Sequence, residues 1–258
     1  MEKIMYEGLP LTEFDADRFA LIEPLARKNI HLPEHGVIVF YSWVIDILLK
    51  ANRLTQIHQI GSVLTPIKIY QLYYDKKPVT VVCPTGCGGP LAGALLEELI
   101  AYGCRKVVAC GSAGCLRSEF SVESIVIPSA AIRDEGTSYH YLPPSRTVLV
   151  EPAVINKLED VLKKHHINYQ VGLNWTTDAP YRETRQKIAR RKEEGCLTVD
   201  MEFASLLAVA RFRKIPFGQY LLVVDDISGD EWDNRGWEKE SPAHEKGFWL
   251  AVEACLSL

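Results

Sequence analysis

The sequence predicts a compact α/β protein with one main domain. Short apolar runs typical of buried strands alternate with longer segments of helical periodicity, and glycine-rich turns separate several of them. The 258 residues are 47% hydrophobic and 24% charged, which is enough apolar material for one sizeable core. No repeat or linker interrupts the order of elements, so we expect a single domain over residues 36–258. Residues 1–35 predict a surface segment with a short helix near residues 17–27.

Charge and composition exclude several classes of function. A net charge of −4 gives no general attraction to nucleic acid or to an anionic membrane, so we expect neither as a partner. No stretch approaches the length of apolar sequence that a membrane-spanning helix needs. The seven cysteines are odd in number and lie in apolar or glycine-rich segments, as expected of reduced thiols in the cytoplasm. Because they lack zinc-ligand spacing and a histidine cluster, we expect no metal.

The first part of the domain predicts a βα unit followed by a meander. A continuous apolar run at residues 36–41 is typical of a buried strand, and helical spacing follows over residues 43–53. Three further strands are expected over residues 57–64, 67–73 and 78–83.

A glycine-rich turn over residues 83–90 then opens a helix over residues 91–102. Gly88 and Gly89 in this turn let the backbone approach a ligand closely, and the helix N-terminus offers unpaired N–H groups. Such a turn is structural as often as it is functional, and this one matches neither the P-loop nor the dinucleotide-binding fingerprint.

The rest of the chain alternates strands and helices. A strand over residues 106–110 is expected to end in a second loop of small residues, 111–116, which would face the first loop across a crevice. A long polar and aromatic loop over residues 133–144 is of the kind that more often carries function than packing. Further strands are expected over residues 124–128, 169–175, 195–199 and 218–224, and helices over residues 151–165, 182–194, 203–212 and 243–256.

Two carboxylates flank a methionine where a predicted strand becomes a helix. These residues are Asp200, Met201 and Glu202. Ligands of α/β proteins are commonly held at the carboxyl ends of strands, so this corner is a candidate binding site. The structural alternative is that Asp200 caps the helix and Glu202 is a first-turn acid favoured by the helix dipole.

Six segments occur in a characteristic order: residues 86–90, 111–114, 133–138, 177–181, 199–202 and 224–227. They resemble the nucleoside phosphorylase and nucleosidase superfamily, which includes uridine phosphorylase, hexameric purine nucleoside phosphorylase and methylthioadenosine nucleosidase. The likeness runs from about Val37 to the carboxyl terminus. It implies a three-layer α/β/α phosphorylase-like fold with a central mixed, partly barrel-like sheet.

The resemblance implies a nucleoside site around the acidic residues. Glycosidic cleavage develops positive charge on the ribose and negative charge on the leaving base, so an enzyme needs an anion near the sugar and a donor near the base. Glu202 would bind the ribose hydroxyls, with Met201 against the sugar face and Asp200 beside them. Asp226 falls at the catalytic aspartate, and repulsion from Asp225 would keep Asp226 partly protonated. The structural alternative for this diacid is a solvated turn.

The same resemblance implies the remaining site residues. Phosphate or another nucleophile would be held by Gly88, Gly89, Gly111 and Ser112. The base would be held by Thr177, Asp178, Tyr181 and Asp225.

Three positions depart from the phosphate-using members. Those enzymes carry arginines at the positions of Ala109, of the turn that begins at Tyr41 and, from a partner subunit, of Thr65. Without them a phosphate dianion loses its strongest contacts, since a charge-assisted hydrogen bond contributes about 1.5–3 kcal/mol.

Two explanations stay open. Other arginines, such as Arg53, Arg117 or Arg133, replace the missing ones, or phosphate is not the nucleophile. Residues 111–114 are closer to the hydrolytic nucleosidases, yet the turn at Tyr41 lacks the glutamate that those enzymes use to activate water.

The sequence therefore predicts a nucleoside phosphorylase, a pentosyltransferase that converts a purine or pyrimidine nucleoside and inorganic phosphate to free base and ribose 1-phosphate without a cofactor. A phosphate-independent nucleosidase and a non-catalytic nucleoside-binding protein are the alternatives. The resemblance also implies a cytoplasmic homo-oligomer, either a dimer or a hexamer.

Overall fold

Ten strands form one mixed sheet in the computed structural model, which describes residues 8–24, 30–62 and 65–258. The strands are β1 (His35–Val39), β2 (Thr55–Ile60), β3 (Ile67–Tyr74), β4 (Lys77–Val82), β5 (Lys106–Cys115), β6 (Ile125–Asp134), β7 (Thr147–Leu149), β8 (Tyr169–Thr177), β9 (Cys196–Asp200) and β10 (Phe217–Asp226). The α-helices are α1 (Ser42–Lys50), α2 (Gly89–Ala101), α3 (Pro152–Lys164), α4 (Arg185–Glu193), α5 (Phe203–Arg213) and α6 (Pro242–Ser257).

Part of this sheet closes on itself. The strands follow the order β10-β6-β8-β9-β5-β1-β4-β3-β2, and β10 also pairs with β5. That extra pairing joins β5, β10, β6, β8 and β9 into a ring, from which β1, β4, β3 and β2 continue as an open sheet. The expectation of a mixed, partly barrel-like sheet is confirmed.

Helices cover both faces of the sheet. Neighbouring residues of a strand point to opposite faces, and on β10 these are Phe217 and Gly218. The Phe217 ring packs 6.2 Å from the ring of Phe203 on α5, measured between centroids. Gly218 instead faces α3, where a side-chain methyl group at this position would lie 2.9 Å from Cγ1 of Val154. The sheet therefore separates α5 from α3, which gives the three layers expected.

Two strands run further than the sequence indicates. The expected loop at residues 111–116 is wrong up to Cys115, because β5 continues through its small residues. There β5 pairs with β9 on one side and β10 on the other, as in the pairing of Gly114 with Val199. A Cβ on Gly114 would lie 3.1 Å from Oδ1 of Asp225, so small residues serve close strand packing here. β6 likewise extends to Asp134, into the loop predicted at residues 133–144.

The N-terminal segment packs on the surface of the domain. Residues 8–24 hold one short 3-10 helix, Pro10–Thr12, and their side chains are exposed or half-exposed. Residues 17–24 are not helical, contrary to expectation, and the remainder of the helix predicted to residue 27 lies outside the described residues. The Arg213 guanidinium of α5 donates to the carbonyl of Arg18 at 3.0 Å, which attaches the segment to the domain. The strand predicted to end at residue 64 ends at Ile60, and residues 63 and 64 also lie outside the described part.

All seven cysteine thiols are free. Burial raises the pKa of most of them, including Cys104 to about 12, so these thiols remain protonated. Within the described ranges, no helix combines the length and the apolar character needed to cross a membrane.

We expect Gly218→Ala to lower the free energy of unfolding by about 1–3 kcal/mol, the usual cost of overpacking a core. The added methyl group would lie 2.9 Å from Val154 and 3.0 Å from Leu158 on α3, so the helix must shift. Chemical denaturation measures the change. Gly61→Ala is the control, because no atom of the described residues lies within 4 Å of a Cβ there. Equal stability of the two variants would contradict this packing of α3 on β10.

Candidate active site

Asp200 fixes the corner where β9 ends and α5 begins. Its Oδ1 accepts hydrogen bonds from Nδ2 of Asn174 at 2.6 Å and from the Thr176 hydroxyl at 2.7 Å. Its Oδ2 accepts from the backbone N–H of Phe203 at 2.8 Å, the first residue of α5. Asn174 and Thr176 lie on β8, so this buried carboxylate joins β8, β9 and α5. Both oxygens are used within the protein, which makes Asp200 a positioning residue.

Glu202 points from this corner to the glycine-rich turn. Its Oε1 accepts a hydrogen bond from the backbone N–H of Gly88 at 2.5 Å, across 114 residues of sequence. Gly88 has φ +103, a conformation that favours glycine. Only 8% of Glu202 is exposed, and both burial and the adjacent Asp200 charge raise the pKa of Glu202. Glu202 and the glycine-rich turn, which the sequence analysis assigned to different parts of the site, are therefore in direct contact.

Gly89 leaves space for Ser205, which binds a third acid, Glu135. A Cβ on Gly89 would lie 2.3 Å from the Ser205 hydroxyl oxygen, so any side chain there would displace the Ser205 side chain. Ser205 donates at 2.6 Å to Oε2 of Glu135, which also accepts the backbone N–H of Ser138 at 2.9 Å. Glu135 is 95% buried, and its Oε1 is without a hydrogen-bond partner among the described residues. Sequence reasoning missed both as site residues: Glu135 lies within the segment 133–138 but no role was assigned to it, and Ser205 lies outside the six segments.

The two acids at the end of β10, Asp225 and Asp226, have different partners. Oδ2 of Asp226 lies 2.6 Å from Nη2 of Arg235, and its Oδ1 accepts the backbone N–H of Ser228 at 2.6 Å. Burial opposes ionisation of Asp226, but the Ser228 hydrogen bonds and the Arg235 guanidinium outweigh it, so the pKa of Asp226 lies below its ordinary value. Asp226 is therefore ionised, contrary to the expectation that it is partly protonated. Arg235 was missed because it lies in a polar segment without periodicity.

Asp225 is the member of the pair that holds a proton more readily. Burial and the charge of Asp226 raise its pKa, although the Trp232 indole N–H donates to its Oδ2 at 2.7 Å. Glu183 lies near it, and burial together with the Asp225 charge raises the pKa of Glu183 to about 7, with Lys187 opposing. Two carboxyl groups with raised pKa values therefore lie at this end of the barrel.

The chain that follows β8 carries residues that interact with both Glu202 and Asp225. Asp178 acts on Glu202, and Asp225 acts on Glu183. Asp178 accepts the backbone N–H of Gly136 at 2.8 Å, and its charge acts on Glu202. Thr177 is 2% exposed, and its hydroxyl accepts the backbone N–H of Ala179 at 3.3 Å. Tyr181 is 99% exposed. Of the four residues expected at the base, Asp178 and Asp225 thus interact with the acids Glu202 and Asp226, Thr177 is buried, and Tyr181 faces solvent.

Gly111 and Ser112 lie on β5, beside the end of β1. A Cβ on Gly111 would lie 3.3 Å from the Phe40 ring, and the Ser112 hydroxyl lies beside the phenol of Tyr41. Tyr41, Ala109 and Thr65 supply no cation, as the sequence indicates.

The three arginines considered as replacements have other partners. Arg133 is 4% exposed, donates to the Ser138 hydroxyl at 2.8 Å and stacks on a tyrosine ring. Arg117 donates to the Lys192 carbonyl at 3.2 Å, and Arg53 lies 4.9 Å from the Trp249 ring centroid. These contacts give each arginine a structural role. Over the residues with described positions, no three His, Cys, Asp or Glu side chains cluster in a way that would hold a metal.

Comparison with known proteins identifies similar chains. The sequence profile of the Phosphorylase superfamily matches residues 35–246. A uridine phosphorylase from Haemophilus influenzae is 33% identical over 205 residues, which cover 72% of this chain and 78% of that protein. A guanosine phosphorylase from Halorubrum lacusprofundi is 26% identical over 196 residues, covering 74% and 81%. The solved structure of a purine nucleoside phosphorylase from Toxoplasma gondii, in complex with immucillin-H, has a TM-score of 0.75 at 19% identity and covers 97% of both chains.

We expect Glu183→Gln to make stability less dependent on pH. Because folding raises the pKa of Glu183 from 4.5 to about 7, the wild type loses stability as the pH rises through this range, and glutamine removes that loss. Above pH 7 the variant should be more stable by about 1–3 kcal/mol, and the difference should shrink toward pH 4.5. Urea denaturation from pH 4.5 to 8 measures it. A difference that does not vary with pH would show that Glu183 titrates normally.

Proposed function

The chain belongs to the phosphorylase superfamily, and we propose on this basis that it is an enzyme that cleaves the N-glycosidic bond of a nucleoside by phosphorolysis. The products are the free base and ribose 1-phosphate, and the class is pentosyltransferase. Inorganic phosphate is the co-substrate, and we propose no cofactor.

The observation that carries this proposal is the buried Glu202 carboxylate, held by the Gly88 amide at the end of β9. A carboxylate accepts hydrogen bonds from two neighbouring hydroxyl groups, the pattern that the 2′ and 3′ positions of ribose present. Its negative charge also favours the positive charge that develops on the sugar as the bond to the base breaks. Met201, half-exposed beside it, is proposed to contact the sugar face.

In the proposed reaction a phosphate oxygen forms a bond to C1′ while the bond from C1′ to the base nitrogen breaks. The bonding electron pair leaves with the base, which must gain a proton or a hydrogen bond. We assign this part to Asp225 and Asp226. Asp226 is held ionised by Arg235, whereas Asp225 retains a proton more readily, so Asp225 is the proposed donor and Asp226 the charge that raises its pKa. Thr177 and Asp178 are proposed to border the base.

Hydrolysis is the second candidate, and one observation favours it. The arginines that phosphate-using relatives are expected to carry are replaced by Tyr41, Thr65 and Ala109. In hydrolysis, water would form the bond to C1′, and free ribose would replace ribose 1-phosphate.

We also propose a cytoplasmic homo-oligomer. Apolar side chains on α1, β2 and β3 are partly exposed and are candidates for a subunit contact. They are Ile47 at 38%, Leu49 at 38%, Ile57 at 37% and Tyr73 at 61% exposure.

A release assay for free base on a panel of purine and pyrimidine nucleosides, with and without inorganic phosphate, tests the proposal. We expect turnover only with phosphate, and ribose 1-phosphate as the sugar product. Equal turnover without phosphate would establish hydrolysis instead. Binding of a nucleoside without release of base under either condition would indicate a non-catalytic binding protein.

Glu202→Gln should lower kcat/KM for the nucleoside by about 10- to 150-fold, the effect of losing one charge-assisted hydrogen bond of about 1.5–3 kcal/mol. The substitution keeps the shape of the side chain but removes its charge. Steady-state kinetics measure the loss. Glu159→Gln is the matched control, because Glu159 contacts Tyr169 at the opposite end of β8. A Glu202→Gln variant with unchanged kinetics would refute the proposed binding of the ribose hydroxyls by Glu202.

A further inference from the structure

The first turns of α2 and α5 pack closely against each other. A Cβ on Gly89 of α2 would lie 2.3 Å from the Ser205 hydroxyl oxygen of α5, and a Cβ on Gly93 would lie 3.5 Å from Cγ2 of Val209. The two glycines are four residues apart, and so are Ser205 and Val209, which places each pair on one face of its helix. The glycines therefore allow an approach of the two helices that larger residues would prevent.

The segment after β6 fills the space beside this helix contact. The Thr137 side chain lies against the same face of α2, with Oγ1 3.1 Å from a Cβ on Gly89 and Cγ2 3.2 Å from a Cβ on Gly93. Thr137 begins the 3-10 helix Thr137–His140. Three parts of the chain thus meet at the glycine face of α2, namely α2 itself, α5 and this short helix.

Glu135 joins this segment to α5. Its Oε2 accepts the Ser205 hydroxyl at 2.6 Å and the backbone N–H of Ser138 at 2.9 Å. The first hydrogen bond crosses 70 residues of sequence, and the second lies within the segment itself. Glu135 is 5% exposed and Ser205 is 0% exposed, so both bonds form away from water, where hydrogen bonds are stronger.

This junction lies directly behind the contact between Gly88 and Glu202. Gly88 immediately precedes α2, and Glu202 immediately precedes α5. The hydrogen bond from the Gly88 amide to the Glu202 carboxylate therefore joins the same two helix N-termini that Ser205 and Glu135 hold. Ser205 lies three residues beyond Glu202, about one helical turn, so a shift of this turn also moves Glu202. The direction of the Glu202 carboxylate thus depends on how closely α5 is held.

We propose that Glu135 and Ser205 are positioning residues that orient the Glu202 carboxylate for the 2′ and 3′ hydroxyl groups of the nucleoside. This inference rests on the proposed function and deepens the part assigned to Glu202. Both residues act through Glu202 and not through contact with the substrate. Because hydrogen bonds weaken steeply as their geometry departs from the optimum, a small displacement of this carboxylate lowers the affinity for the sugar hydroxyls.

Ser205→Ala tests this role, because alanine removes the hydroxyl group and favours the helix. The affinities for inosine and uridine, and for the 2′,3′-dideoxy form of each, are measured by calorimetry without phosphate. We expect the wild type to bind the ribonucleoside at least about 10-fold more tightly than the dideoxy form. In Ser205→Ala the affinity for the ribonucleoside should fall about 3- to 10-fold, while that for the dideoxy form changes less than about 2-fold. If base is released under these conditions, the ratio of kcat/KM values replaces the ratio of affinities.

Glu135→Gln and Glu135→Ala separate the hydrogen bonds of Glu135 from its charge. Glutamine keeps an oxygen that accepts from Ser205 and Ser138, so its preference for the ribonucleoside should stay within about 3-fold of the wild type. Alanine removes the acceptor and should lose at least as much as Ser205→Ala. Loss of the preference in Glu135→Gln as well would overturn the proposal, because the charge of Glu135 would then act on the site.

A double variant and a matched control complete the test. In a Glu202→Ala background, Ser205→Ala should change the affinity for the ribonucleoside less than about 2-fold, because the group that Ser205 positions is gone. Ser257→Ala, at a serine that donates to the Ala254 carbonyl at 2.7 Å near the end of α6, should behave as the wild type.

The proposal is refuted if Ser205→Ala keeps the wild-type preference for the ribonucleoside, or if its effect is the same with and without Glu202. Equal weakening of the ribonucleoside and its dideoxy form would also refute it, since that is the result of a purely structural role. Hydroxyl-dependent binding without release of base would retain the positioning role and remove the phosphorylase assignment. A wild type that binds no nucleoside, or binds both forms equally, would overturn the assignment of Glu202 and this proposal with it.

Discussion

The hydrogen bond from the Gly88 amide to the Glu202 carboxylate holds the candidate site together. It connects the N-terminus of α2 to the corner between β9 and α5, and it is possible only because two backbone conditions are met. Gly88 adopts a φ that other residues rarely reach, and Gly89 leaves room for the Ser205 hydroxyl. Asp200 fixes the same corner, because its Oδ2 accepts the backbone N–H groups of Glu202 at 3.4 Å and of Phe203 at 2.8 Å. Burial makes this arrangement costly for an ionised Glu202, and the positive charge that develops on the sugar in the proposed reaction would offset that cost.

The local parts of this site could be predicted from the sequence, and the parts formed by distant contacts could not. The corner at Asp200 and Glu202 follows from an apolar strand that runs directly into a helix, a pattern confined to about a dozen residues. The end of β5 does not follow, because Gly111 to Cys115 have the composition of a loop and become a strand through pairing with β9 and β10. Long-range pairing of this kind overrides local propensity.

Contacts between individual side chains that are far apart in the sequence could not be predicted either. Glu135 meets Ser205 across 70 residues, and Arg235 meets Asp226 through a segment that has no regular pattern. The resemblance implied roles for Glu202 and Asp226, but it did not imply that Arg235 lies against Asp226 and favours its ionised form. Tyr181 shows the converse, since an aromatic residue in the expected loop turns to solvent. Pairing and burial, which decide the protonation states, are properties of the folded chain.

The pairing of β5 along both of its edges affects how fast its amide hydrogens exchange with solvent. Its residues pair with β1 and β10 near the start of the strand and with β9 and β10 near the end, so β5 has a hydrogen-bonded neighbour on each edge. Amide hydrogens in such a strand exchange only when the whole domain opens, whereas exposed connections exchange through small local openings. The segment between β10 and α6, which carries Arg235, is of the second kind, because most of its side chains are exposed. Local opening of this segment would therefore leave the strand that carries Ser112 in place.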